Sequence, residues 1–167
     1  MTDGPLIRPM TRGDWPAVRR IYREGIASGH ATFETEIPPW EAWDRDHLEE
    51  PRLVAEDEGG IVGWAALSPV SDRCVYGGVA EVSVYVGEEA RGRGVGRALL
   101  AGLVRASEEE GLWTLQAGIF PENRASIRVH ETCGFRTVGV RERLGRMADG
   151  EWRDVVLMER RSETVGV

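Results

Sequence analysis

The sequence predicts one three-layer domain of the α/β (α+β) class around a single central sheet, and three observations lead there. A chain of 167 residues has the size of one domain. Its 41% hydrophobic and 29% charged residues supply enough apolar surface for a core without the composition of a disordered chain. Stretches with apolar spacing of three or four alternate with period-two stretches, some of them joined as hairpins.

Leu6 to Met10 reads as the first strand. Thr11, Gly13 and Asp14 mark a turn and cap before a helix carrying Trp15, Val18, Ile21, Tyr22 and Ile26. Ser28 to Pro39 is loop-like, and a short helix is expected over Trp40 to Glu49. Arg52 to Glu56 and Ile61 to Leu67 form a hairpin closed by Asp57-Glu58-Gly59-Gly60, residues that tolerate positive φ. After a loop from Ser68 to Gly78, Val79 to Val86 is the clearest strand. A helix from Gly94 to Glu110, a strand from Trp113 to Ile119 and a helix from Arg124 to Cys133 follow. Strands near Phe135 to Arg143 and Trp152 to Glu159 close a domain spanning 1–161, with 162–167 as a frayed tail.

Composition excludes several functions. All 21 basic residues are arginine, which removes the P-loop lysine and Schiff-base catalysis. A net charge of −7 argues against a nucleic-acid partner. Cys74 and Cys133 make no disulfide framework or CxxC pair, and the scattered histidines and cysteines suggest no metal site. Thr2, Asp3, Gly4 and Pro5 lead into a short strand-like segment, and no apolar run reaches the roughly 18 residues of a membrane span. A soluble cytoplasmic protein without a membrane partner is expected.

Arg91-Gly92-Arg93-Gly94-Val95-Gly96-Arg97 links the best strand to the best helix. It fails the dinucleotide fingerprint, because Arg97 and Leu99 stand where the last glycine belongs. Arg91, Arg93 and Arg97 crowd a helix start and Glu108-Glu109-Glu110 its end, so both ends oppose the helix dipole. Each mismatch costs only about 0.3 to 1 kcal/mol at a surface, and a phosphate bound by amides and guanidiniums would reverse the sign at the start. A pyrophosphate site is the economical reading, with a glycine-rich turn bearing solvated arginines as the bland one.

In the strand Val79 to Val86, Val79, Glu81, Ser83 and Tyr85 share one face, and Ala80, Val82, Val84 and Val86 the other. An acid at the middle of such an apolar strand is costly to bury unless it is paired, hydrogen-bonded or protonated. Burial can raise a glutamate toward about 6 or 7, where general-base catalysis is effective. Glu81 is therefore the candidate base, and a structural ion pair with Arg73 or Arg141 is the alternative.

Arg91-Gly92-Arg93-Gly94-Val95-Gly96 also resembles the R/Q-x-x-G-x-G/A acyl-CoA motif of the GNAT N-acetyltransferases. Thr32-Phe33-Glu34-Thr35-Glu36, Ala80 to Val86, Pro121-Glu122-Asn123, Val129-His130-Glu131 and Gly150 to Asp154 extend the likeness to the phosphinothricin and methionine-sulfone N-acetyltransferase group, from about Leu6 to Glu159. The resemblance implies a mostly antiparallel, twisted mixed sheet of about six to seven strands with about four helices. It also implies acetyl-CoA as cosubstrate, no metal, a small amino-acid-like acceptor, direct transfer, and a homodimer. Val84, Tyr85 and Val86 would meet the pantetheine arm, residues 91–97 the pyrophosphate, and Asn123 the thiol end, with an oxyanion donor near Val84.

His130 stands where many relatives carry a tyrosine that returns a proton to the CoA thiolate. It would assist proton transfer, orient substrate, or simply pack. Phe33, Glu34, Arg73 and Tyr76, with Glu81, Val82 and Ser83, form the expected acceptor cup. Arg73 would grip a carboxylate or phosphinate through two parallel bonds, its bland reading being a solvated loop charge. Ser71 replaces a frequent cation of the phosphinothricin group, and Val82 a usual histidine of the methionine-sulfone branch, so the acceptor stays open. Acetylation of a protein N-terminus or polyamine, and a non-catalytic acyl-CoA sensor, are the alternatives.

Overall fold

The computed structural model describes residues 4–167; Thr2 and Asp3, named above, lie outside the described residues. Among the described residues, seven strands form one sheet in the order β1-β2-β3-β4-β5-β7-β6. They are β1 (Leu6–Pro9), β2 (Arg52–Asp57), β3 (Gly60–Pro69), β4 (Val79–Val86), β5 (Thr114–Ile119), β6 (Arg136–Arg146) and β7 (Trp152–Arg161). Every pairing is antiparallel except β4 with β5. The helices are α1 (Trp15–Ser28), α2 (Trp40–Asp46), α3 (Val95–Glu109) and α4 (Arg124–Thr132).

Period-two alternation sorts the core onto two faces. Val54, Trp64 and Ala66 meet Trp15, Val18, Ile21 and Tyr22 of α1 and Trp43 of α2. Their neighbours Leu53, Ala55, Ala65 and Leu67, with Ala80 and Val82, meet Leu99, Leu100 and Leu103 of α3. The expected three layers follow.

Four differences from the sequence-based expectation have physical causes. Helix α2 stops at Asp46, because His47 is extended and its imidazole bonds the Trp43 carbonyl at 2.7 Å while stacking on that indole. One-turn 3-10 helices at Arg12–Asp14, Cys74–Tyr76 and Glu88–Ala90 were too short to leave a periodic signal. Strand β6 runs to Arg146 through an irregular register. Residues 162–167 have no helix or strand, but they are tied down rather than frayed. Arg161 donates to the Ser162, Val165 and Gly166 carbonyls, and Thr164 Oγ1 donates to Glu108.

Candidate active site

The single parallel pairing is short. It joins Val79 to Thr114, Ala80 to Leu115 and Glu81 to Gln116, and then stops. Beyond it β4 stays with β3 out to Val86, while β5 stays with β7 out to Ile119. The strands part, and a cleft of about 330 Å³ opens between them.

Residues 81–85 of β4 form one wall of this cleft, and residues 117–120 face them. Residues 30–33 close one side, Asn123, Ser126 and His130 another, and Leu144 and Val155 the remainder. Of the residues expected from sequence, Phe33, Glu81, Val82, Ser83, Val84, Tyr85, Asn123 and His130 are thus brought together. Glu34, Arg73, Tyr76 and Val86 do not line it. Arg73 lies instead over the Tyr76 ring, 5.5 Å from its centroid, in an exposed loop.

Glu81 stands where the strands separate, and its setting corrects the expectation. The side chain is exposed, not buried: the β4–β5 pairing ends with Glu81 and Gln116, and the cleft opens beside them. Its partner is neither Arg73 nor Arg141. Gln116, directly opposite in register, donates Nε2 to Glu81 Oε1 at 3.2 Å. Only Glu81 among the lining residues is acidic, and none is Arg.

Asn123 caps α4: its Oδ1 accepts from the Ser126 amide at 3.3 Å, and its Nδ2 donates to the His30 carbonyl at 3.5 Å. His130 lies one turn after Ser126, whose carbonyl is 2.7 Å from Nδ1. A carbonyl only accepts, so Nδ1 carries the proton and Nε2 is the bare lone pair. That Nε2 is buried without a partner. Burial pushes the His130 pKa below its ordinary value, against the smaller opposing pull of the Ser126 carbonyl. The imidazole is neutral at pH 7, so at rest it can accept a proton but has no second one to donate.

The glycine-arginine loop lies past the far end of β4, with Gly96 beside Val86. Gly92 and Gly94 have φ of 78° and 80°, a region that strains any residue with a Cβ. Gly96 has no such φ, and a Cβ there would make only ordinary contact with Val86, 3.5 Å away. Neither strain nor crowding requires glycine at 96, whereas close approach of a ligand would. The first helical bond of α3 runs from the Ala98 amide to the Gly94 carbonyl, leaving the amides of Val95, Gly96 and Arg97 unspent. Arg91, Arg93 and Arg97 are exposed around them, and Arg93 is steadied by the Glu89 carbonyl at 2.9 Å. Bare amides, a helix dipole and guanidiniums suit a pyrophosphate.

Sequence reasoning missed several lining residues, among them Thr32, Phe120, Ser126, Leu144 and Val155, as well as Gln116. Thr32 sits inside a motif singled out above; nothing local marks the others as site residues, since distant segments meet there only on folding.

Residues 15–135 match the acetyltransferase (GNAT) family. The chain is 37% identical over 162 residues to a phosphinothricin N-acetyltransferase of Alcaligenes faecalis, covering 92% of this chain and 81% of the relative. It superposes with a TM-score of 0.83 and 31% identity on a phosphinothricin acetyltransferase of Sinorhizobium meliloti solved with acetyl-CoA, covering 98% of this chain and 96% of the other. A ribosomal-protein-alanine N-acetyltransferase of Brucella melitensis gives 0.85 and 35%, covering 94% and 99%. With this match and these likenesses, the chain belongs to the GNAT acetyltransferase family.

Proposed function

We propose that the chain moves an acetyl group from acetyl-CoA to the α-amine of a small amino acid or toxic analogue, of the phosphinothricin or methionine-sulfone type. One observation carries this reading. Strand β4, which splays from β5 beside an open carboxylate, leads through the glycine-arginine loop to a helix start with three unspent amides.

Acetyl-CoA supplies the acetyl group as an activated thioester. Amides and guanidiniums of residues 91–97 hold the pyrophosphate, the β4 edge at Val84, Tyr85 and Val86 guides the pantetheine arm, and Asn123 lies at the thiol end. An α-amine, with a pKa of about 7.7 to 8.0, is mostly protonated at pH 7 and must lose a proton to become a nucleophile. Glu81 takes that proton, directly or through one water, with Gln116 fixing one carboxylate oxygen. The neutral amine then attacks the acetyl carbon, the carbon–sulfur bond breaks, and the proton shed by the new amide nitrogen goes to the departing thiolate, which leaves as CoA-thiol. His130, neutral and with Nε2 bare, orients or accepts rather than supplying the first proton. Phe33, Val82 and Ser83 shape the acceptor side.

A second acceptor class, a protein N-terminus, is favoured by the likeness to the Brucella melitensis structure. A polyamine has less support, because one carboxylate in the cleft cannot pair with several ammonium groups. The deciding experiment measures CoA-thiol release from acetyl-CoA with amino acids, phosphinothricin, methionine sulfone, polyamines and alanine-ended peptides. Release with free amino acids or their analogues and little with peptides supports the proposal. Release with peptides alone moves the acceptor to protein N-termini, and binding without release for any acceptor makes the chain a sensor.

Two chains pairing as a homodimer also belongs to the proposal. Val138, Val140 and Leu144 on the edge strand β6, with Trp152 beside them, are 44–55% exposed, an apolar surface suited to a second copy. Sedimentation at the mass of one chain would contradict it.

A further inference from the structure

The β6–β7 hairpin carries a motif, Gly150 to Asp154, to which the chemistry above gives no task. Its geometry is irregular in a specific way. Arg141 pairs with Val155 and Gly145 with Arg153, so β6 holds two more residues than β7 over the same span. Inside this bulge Arg143 adopts a φ of 44°, and its amide donates to Asp154 Oδ1 at 2.8 Å. The carboxylate thus pins a backbone shape that a non-glycine residue rarely adopts.

The bulge has a consequence at the cleft. It carries Leu144 into the lining and sets Gly145 against Phe33. A Cβ on Gly145 would fall 2.5, 2.6 and 2.9 Å from Cζ, Cε1 and Cε2 of the Phe33 ring. Gly145 does not have a positive φ, so its lack of a side chain makes room and nothing else. Phe33 in turn meets Phe120 edge to face, with centroids 4.9 Å apart. Phe120 is held from behind by Arg153, whose guanidinium carbon lies 4.0 Å from the ring centroid. That guanidinium is nearly buried and donates to the Gly29 carbonyl and to Glu122 Oε2, both at 3.0 Å. It ties β7 to the segment that bears Phe33 and to the turn that bears Asn123.

We propose that Gly145 determines acceptor specificity: by seating the Phe33 ring against the hairpin it sets the depth of an apolar pocket for the acceptor's side chain. Among the proposed acceptors the favoured class is an α-amino acid with an uncharged side chain, the methionine-sulfone rather than the phosphinothricin type, since Phe33, Phe120, Leu144 and Val155 form that wall and no Arg lines the cleft. This inference rests on the acetyl-transfer reading of the same site.

The test is kcat/KM for the series alanine, 2-aminobutyrate, norvaline and norleucine. In Gly145→Ala the ring must tip into the cleft. Norleucine should lose about tenfold or more, the worth of a methylene's fit, while alanine and the KM for acetyl-CoA stay near the wild-type values. Phe33→Ala introduces no clash, should favour the longer acceptors, and in the double variant should restore norleucine. A uniform loss across the series, or no restoration in the double variant, overturns the role of Gly145 alone. A wild type that releases no CoA with any amino acid overturns the amino-acid acceptor of the proposed function, and this inference with it.

Discussion

The two ends of the proposed ligand path are built by opposite means. At the proposed cosubstrate end, within the seven consecutive residues Arg91 to Arg97, Val95, Gly96 and Arg97 leave their backbone amides free at one helix start. At the acceptor end, side chains converge from the loop after α1, from β4, β5 and α4, and from the β6–β7 hairpin. In the proposed function the first end would read a phosphate through groups that every residue possesses, so it would depend on glycines and tolerate changes in side chain. The second would read its ligand through the side chains themselves, so substitutions there, Glu81 apart, should change the substrate rather than the reaction.

Gly96→Ala separates the two ends most sharply. Alanine is favoured over glycine inside a helix by about 0.5–1 kcal/mol, and the added Cβ meets only Val86, so Tm should hold or rise. The same methyl intrudes where a phosphate would approach the amides, and KM for acetyl-CoA should rise about tenfold or more, for a displacement on the order of 1 Å. A Tm gain with unchanged KM would move the pyrophosphate elsewhere.

Replacing Arg91 and Arg97 by glutamine should act in the same direction but less, because both side chains are exposed and screened. KM for acetyl-CoA should rise several-fold in low salt, about threefold for each arginine, with the difference from wild type shrinking as salt increases. The alanine-to-norleucine ratio should not move, since those arginines lie at the other end. A changed ratio would break the separation of the two ends.

The smallest effect concerns His130 and His47. Burial lowers both pKa values, so below the unfolded value of about 6.5 the unfolded chain binds protons that the folded chain refuses. Stability is therefore full above that pH and falls as pH drops through it, by at most about 1.4 kcal/mol per pH unit for each histidine. Asp14, whose carboxyl the Arg8 guanidinium holds below its usual range, adds a loss of the same sign at lower pH. His130→Leu should flatten the denaturant-midpoint profile between pH 5 and 6.5. If its kcat also stays unchanged, His130 is a packing residue only.

Much of the fold and half of the site were legible in the sequence, for identifiable reasons. Alternation in Val79 to Val86 and the three-to-four spacing of Trp15, Val18, Ile21 and Tyr22 are local, so strand, helix and their faces could be read directly. The glycine-arginine loop was legible as a candidate anion site because its residues are contiguous. The exposure of Glu81 was not, because it depends on β5 parting from β4 after Gln116, a property of pairing that neither strand encodes alone. Arg73 attracted notice as a charge near the site, yet its loop carries it away from the cleft. Arg153 and Gly145 drew no notice as site residues, because their partners Gly29, Glu122 and Phe33 are more than 30 residues distant.

Glu81→Gln tests the central claim most directly. The amide keeps the shape and leaves the exposed surface of the strand intact, so Tm and KM for acetyl-CoA should match the wild type. Steady-state kcat at pH 7 with the preferred acceptor should fall by about 10²- to 10⁴-fold, the usual worth of a general base. A variant that keeps most of its kcat while its Tm drops would contradict the account and make Glu81 a structural residue.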